Sequence, residues 1–224
     1  MESAPHIHFL HIGKTGGTSI KAALAPFQHL VQLHGHGTHL SDVPVGDRVF
    51  FFLRDPVSRF VSAFNSRLRC GRPRYNFPWS REEARAFASF KTPDELGLAL
   101  SSANPLKRHR GHAAMKAIQH LRSSYWDWLE SEQALKQRAA DIVFIGQQEH
   151  LAADFAVVCE RLEICQAALP QDEVVMHQTP ARFAKTLSDK AAETLKAWYA
   201  ADYEALRICR EIATQRKFGG SLDA

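Results

Sequence analysis

Apolar positions along the chain fall into short unbroken runs separated by longer stretches at helical spacing. Residues 6–12, HIHFLHI, form an apolar-rich run that stops at Gly13, as a buried strand does. GTSIKAALA (17–25) then reads as a helix opened by Thr18 or Ser19 near its cap. HLVQL (29–33) predicts a second strand that runs into LHGHGTH. RVFFFL (48–53) is the clearest strand, because its consecutive, mostly aromatic apolar residues suit a centre covered on both faces. In the following RDPVSRFVSAFNSRL, Asp55 is a natural N-cap. Pro56 takes the first helical position, where a missing N–H costs nothing. Val57, Phe60, Val61, Phe64 and Leu68 make one stripe of this helix, and Asp55, Arg59, Ser62 and Ser66 the opposite one.

The middle third is less regular. CGRPRYNFPWS (70–80) reads as a basic, aromatic loop, helices are expected around 80–90 and 93–101, and NPLKRHRGH (104–112) reads as a second basic loop. DIVFIG (141–146) is a strand. HLAADFAVVCERL (150–162) is an amphipathic helix with Leu151, Phe155, Val158 and Leu162 on one side. A loop near ALPQDEVVMHQTP precedes a final helical stretch over about 188–214, and a polar tail follows from about 215 to 224. Repeats and low-complexity linkers are absent from the sequence. Strands alternating with helices point to an α/β layered fold with a central, mainly parallel sheet.

Composition narrows this little. The 224 residues suit a single domain over 1–224, and 45% hydrophobic with 23% charged residues excludes a disordered or collagen-like chain. A net charge of +4 is too small to argue for nucleic acid, but it suits a small anion or an acidic polymer. No apolar run approaches the ~18 residues of a membrane span. The N-terminal MESAPHIHFLHI lacks the basic start of a secretory signal. Cys70, Cys159, Cys165 and Cys209 form no CxxC pair, so reduced thiols and a cytoplasmic location are expected.

Three chemically rich segments follow strand ends, where ligands bind in parallel α/β sheets. In the loop at 13–19, Gly16 and Gly17 let backbone N–H groups approach an anion. Lys14 adds a point charge, and Thr15, Thr18 and Ser19 add hydroxyls. An ordinary G-x-x-x-x-G-K-[ST] nucleotide loop would need glycine at position 8, where His8 stands. Arg54, after a buried strand and before a capped helix, is placed with Ser62 to hold a second anionic group. Arg59 is read instead as an i,i+4 partner of Asp55, worth a few tenths of a kcal/mol.

Two anion sites on one sheet edge suggest a ligand with phosphates at two places, and here the sequence resembles a known family. HIGKTGGTS is similar to the 5′-phosphosulfate loop of sulfotransferases, HIPKTGGTS. LRDPVSRFVSAF resembles their 3′-phosphate motif, RDPxxRxxSxY. FIGQQEHL (144–151) and WYAADYEAL (198–206) add weaker likeness to the carbohydrate sulfotransferases of the heparan sulfate 2-O-sulfotransferase and uronyl type. The resemblance implies a three-layer P-loop-like fold, with 3′-phosphoadenosine 5′-phosphosulfate (PAPS) as sulfuryl donor and 3′,5′-ADP as product. It assigns Lys14, Thr15, Gly16, Gly17, Thr18 and Ser19 to the 5′ end, and Arg54 with Ser62 to the 3′-phosphate. Two positions depart from the pattern: Gly13 replaces proline, which loosens the start of the loop, and Phe64 replaces tyrosine, which removes a hydroxyl.

Histidine is concentrated early. His6, His8 and His11 on or near the first strand suit packing and local hydrogen bonds. His34, His36 and His39 share a glycine-containing loop after the second strand. H-x-H-x-x-H is also a metal-ligand spacing, but Asp42 is the only acid nearby, and no metal is expected. A capping loop is a further reading. A catalytic base fits best, since a hydroxyl attacking sulfur must lose its proton and neutral imidazole takes it near pH 7. Enzymes of the 2-O type carry a similar HGH segment. That resemblance makes His36 the base and His34 its helper or a substrate contact, with exchanged roles left open.

In this reading the acceptor hydroxyl attacks sulfur in line with the departing phosphate, while Lys14 and the loop N–H groups stabilise the growing charge. Arg69, Arg72, Arg74, Lys107, Arg108 and Arg110, in two loops with Tyr75, Phe77 and Trp79, suit an acidic saccharide as acceptor. Nucleic acid is not an expected partner, and no membrane segment is expected. MHQTPAR (176–182) is a candidate cover for the adenine, and Asp202 is read as a structural acid in need of a partner. Two alternatives are a small-molecule kinase with a variant phosphate loop and a non-catalytic nucleotide- or metal-binding module.

Overall fold

The structure, a computed structural model, describes residues 6–164, 166–172, 174–176 and 179–218. The elements run β1 (Ile7–Leu10), α1 (Gly17–Leu24), β2 (Val31–Leu33), β3 (Arg48–Leu53), α2 (Pro56–Leu68), α3 (Arg81–Ser89), α4 (Pro93–Leu100), α5 (Pro105–Ala117), α6 (Trp126–Leu129), α7 (Glu132–Gln137), β4 (Ile142–Gln147), α8 (Leu151–Arg161), α9 (Asp189–Trp198) and α10 (Ala200–Phe218). They fall into two compact units. One comprises Met1–Arg54, Tyr125–Pro170 and Ala201–Ala224, and the other Asp55–Ser124 and Gln171–Ala200.

The first unit holds the sheet. Its four strands are ordered β2-β1-β3-β4 and every pairing is parallel. Side chains alternate across β3, so Val49, Phe51 and Leu53 enter one core while Phe50 and Phe52 enter the other. The first core is completed by Tyr125, Trp128 and Leu129 and by Ala205, Leu206, Ile208, Cys209 and Ile212 of α10. The second is completed by Ile20 and Leu24 of α1 and Phe155 and Val158 of α8. Helix, sheet, helix: this is the three-layer α/β fold that the alternation of elements predicts. Gly146 of β4 allows a close approach, because any Cβ there would overlap the Phe52 ring.

The strand order also locates the site. From β1 the chain crosses to β2 on one side and returns to β3 on the other. The carboxyl end of β1 is therefore the point where the order reverses and a crevice opens.

The second unit is helical. Asp55, Ser80, Thr92, Asn104 and Ser188 each cap the helix that follows them, as their side chains favour. Arg67 and Glu83 form a buried bidentate pair at 2.7 and 2.6 Å, and Arg67 also donates to the Phe77 and Pro78 carbonyls, tying down the 69–80 loop. Phe64 is fully buried against the edge of Phe87, 5.3 Å between centroids, which accounts for an aromatic without a hydroxyl.

Several expectations are corrected. NPLKRHRGH is not a loop: Asn104 caps two N–H groups and residues 105–117 are helix α5, so Lys107, Arg108 and Arg110 lie on its exposed first turns. The net positive charge of this segment hides its cap-and-proline start. Arg69 is buried rather than on a basic loop surface and donates to the Arg72 carbonyl. Arg59 and Ser66 are buried, and Arg59 Nη2 reaches the Ser123 carbonyl at 2.7 Å. The final helical stretch breaks at Tyr199 into α9 and α10. Cys70, Cys159 and Cys209 are free thiols, and burial pushes Cys209 up to about 12. Cys165, His177 and Gln178 of the adenine-cover segment, and the tail from 219 lie outside the described residues. No described helix is long and apolar enough to cross a membrane.

Candidate functional site

The loop from His11 to Gly16 leaves the carboxyl end of β1 and turns directly into α1. Lys14 (φ 69°) and Gly16 (φ 90°) both take the left-handed conformation, and Gly16 is the helix N-cap. Only glycine adopts that backbone without a steric cost. Among the described residues no side chain caps α1; the Ser19 N–H closes on the Gly16 carbonyl at 3.0 Å, which leaves the N–H groups of Gly17 and Thr18 to meet an anion. Gly17 is required for a different reason. A Cβ there would overlap the His11 imidazole, which packs against the start of the helix.

The loop side chains divide by role. Thr15 is buried, and its hydroxyl donates to the Ile12 carbonyl at 2.9 Å, so its proton holds the loop. Ser19 is buried, while Lys14 and Thr18 are partly exposed. Gly13, where relatives of this motif carry proline, faces Trp128: a Cβ at 13 would lie 3.3 Å from the indole Cη2.

Trp128 also reaches the histidine segment, its Nε1 donating to the His36 carbonyl at 2.8 Å. The His36 ring packs on His11 with centroids 3.9 Å apart and donates to the His11 backbone carbonyl. His36 is exposed, but the groups packed around its ring partly desolvate it and lower its pKa from 6.5, while the hydrogen bond to His11 works against that shift. The Lys14 and Lys21 charges lower it further. His36 is thereby neutral near pH 7, beside the charged loop.

His34 is held differently. Its Nε2 meets His8 Nδ1 at 2.8 Å, and its carbonyl accepts from Lys21 Nζ at 3.0 Å. Burial also lowers its pKa, assisted by His8 and Lys21 and opposed by Asp42. Asp42 accepts the His39 N–H at 2.7 Å. The three histidines of H-x-H-x-x-H thus go to separate partners, and among the described residues no group of three His, Cys, Asp or Glu is placed to hold a metal.

Arg54 follows β3 on the same carboxyl edge, partly exposed. Its backbone is clamped by one side chain: the Tyr125 hydroxyl accepts from Arg54 N at 3.1 Å and donates to Arg54 O at 2.5 Å. Ser62 lies in α2 of the second unit, partly buried. The sequence reading missed Trp128 and Tyr125, which lie in an irregular segment distant in sequence from either motif. Their aromatic character in YWDWL was the available signal.

An uncapped helix start with a lysine-bearing turn, at the reversal point of a parallel sheet, is an α/β arrangement suited to a phosphate-like anion. The sequence model of the Sulfotransferase family matches residues 1–207, and the chain belongs to that family. It is a transferase, and sulfuryl transfer is its class of chemistry. No individual curated protein matches it.

Proposed function

We propose that this sulfotransferase draws its sulfuryl group from PAPS and delivers it to a carbohydrate hydroxyl, in the manner of the heparan sulfate 2-O and uronyl enzymes. The observation that carries the reading is the pairing of His36 with the lysine loop. With one ring nitrogen donating to the His11 carbonyl, a neutral His36 carries its lone pair on the other and accepts a proton from an attacking hydroxyl.

The residues fit the donor. The uncapped start of α1 and Gly16 offer N–H groups to its 5′ end, with Lys14, Thr18 and Ser19 beside them, and Arg54 takes the 3′-phosphate. Ser62 joins that assignment from its motif alone. PAPS supplies an activated sulfuryl group on a phosphate leaving group. Lys14 and the loop N–H groups stabilise negative charge as it grows there, and a loop held rigid by Thr15 and His11 needs little reorganisation to do so. His34 contacts the acceptor. The exposed Arg72, the partly exposed Arg74, and the exposed Lys107, Arg108 and Arg110 on α5 support an acidic saccharide as that acceptor.

Calorimetric titration with 3′,5′-ADP, beside ATP and 5′-AMP in magnesium-free buffer, tests the reading. Tight binding of the bisphosphate, lost in Arg54→Ala, is expected. No binding, or an equal preference for ATP once magnesium is added, overturns it in favour of a kinase.

A further inference from the structure

Behind His34 stands a hydrogen-bonded chain outside both cofactor motifs. His8, 3% exposed in the middle of β1, places Nδ1 at 2.8 Å from His34 Nε2 and Nε2 at 3.1 Å from Asp47 Oδ2. The other carboxylate oxygen of Asp47 accepts the His6 backbone N–H at 3.2 Å. Each member fixes the next. A carboxylate only accepts, so His8 Nε2 carries a hydrogen. A His8 ring with that one hydrogen has its lone pair on Nδ1, which sets the hydrogen of His34 on Nε2. That leaves the His34 lone pair on Nδ1. Among the described residues Nδ1 has no hydrogen-bond partner, and His34 is partly exposed at the carboxyl end of β2.

We propose that Asp47 and His8 are positioning residues that lock His34 in the Nε2–H tautomer, making its Nδ1 a standing hydrogen-bond acceptor that selects a neutral hydroxyl on the incoming acceptor and rejects an anionic group. This rests on the sulfotransferase reading of the sheet edge and gives His34 a defined part in it. A carboxylate or sulfate brought to Nδ1 would meet lone pair against lone pair, whereas a hydroxyl donates to it. Burial keeps His34 neutral near pH 7, with His8, Asp42 and Lys21 the titratable groups around it.

The substitution Asp47→Asn gives the sharpest test. The His6 N–H holds the amide oxygen, which turns the amide NH₂ toward His8 Nε2. His8 must then accept there and carry its hydrogen on Nδ1, and His34 is driven to the opposite tautomer. Two-bond ¹H–¹⁵N correlation of the imidazoles at pH 7.5 reads this directly, because protonated and lone-pair nitrogens resonate far apart. The wild type should show His34 Nε2 protonated and Nδ1 bare, and Asp47→Asn should reverse the two. Should Asp47→Asn not fold, His8→Phe removes the acceptor instead and should leave His34 in a mixture of tautomers. A bare Nε2 in the wild type, or an unchanged His34 in the variants, overturns the relay. Added sodium sulfate should leave the wild-type Nδ1 resonance in place, and movement toward the protonated position overturns the selectivity. The NMR measurement requires neither donor nor acceptor, so its failure is separate from a failed 3′,5′-ADP titration, which would instead overturn the sulfotransferase reading.

Discussion

Trp128 donates its indole N–H to the carbonyl of His36 at 2.8 Å. The far edge of the same indole covers Gly13, so one side chain from α6 braces both the histidine segment and the start of the lysine loop. The substitution Trp128→Phe removes the hydrogen bond, about 0.5–1.5 kcal/mol, and opens space over residue 13. Turnover should fall while 3′,5′-ADP still binds, since the N–H groups of α1 are untouched. Gly13→Pro should destabilise the wild type and be better tolerated beside Trp128→Phe. Melting temperatures of the two single variants and the double variant measure that coupling, and strict additivity would contradict the contact.

His36→Ala should lower turnover by roughly 10²–10⁴ and leave nucleotide affinity within a few-fold, as loss of a positioned base does. Calorimetry beside a rate assay separates the two effects. Equal loss in both would make His36 a binding residue instead.

The Tyr125 hydroxyl makes two hydrogen bonds to the Arg54 backbone from a fully buried ring. Tyr125→Phe leaves both backbone groups without that partner, at a cost of about 1–3 kcal/mol. Denaturant unfolding should show this loss. Affinity for 3′,5′-ADP should fall more than that for 5′-AMP, because Arg54 is assigned to the 3′-phosphate. A proportional loss for both nucleotides would contradict that assignment.

Lys21 lowers the pKa of both His34 and His36. Removing its charge in Lys21→Met lets both rise toward 6.5, so each imidazole is protonated at a higher pH. The acid limb of kcat/KM should move upward in pH, with the rate at pH 8 little changed. Because both folded-state values lie below the unfolded value, wild-type stability should decline as pH falls below about 6.5, and less steeply in Lys21→Met. An acid limb that stays in place would show that neither histidine is the titrating base.

Gly17→Ala places a methyl group inside the His11 ring. Overpacking of this kind costs about 1–3 kcal/mol, and it displaces the helix start assigned to the 5′ end of the donor. Nucleotide binding should be lost together with some thermal stability, whereas Thr18→Ala should weaken binding without lowering the melting temperature. A stable Gly17→Ala protein with full affinity would contradict the His11 packing.

Much of this was legible in the chain. RVFFFL occurs as β3 with the bounds its pattern predicts, and Asp55-Pro56 starts α2 where a cap and an N1 proline should. Both are local signals, complete within a few residues. Asp202 is buried as expected, with its partner in the Tyr125 backbone N–H. The misreadings arose where composition outweighed capping. Basic residues 107–110 suggested a loop, although Asn104-Pro105 before them is a helix start.

The sequence by itself determined the parallel α/β architecture, the lysine loop and the order of the two anion motifs, because periodicity, caps and glycine placement act over short distances. Only the tertiary structure decided which histidine meets which partner. His34 lies 26 residues from His8, and His36 lies 92 from Trp128. Those contacts exist because β2 pairs beside β1 and α6 packs on the same sheet. No local pattern encodes a register between distant strands, so the tautomer of His34 and the bracing of His36 are properties of the assembled sheet.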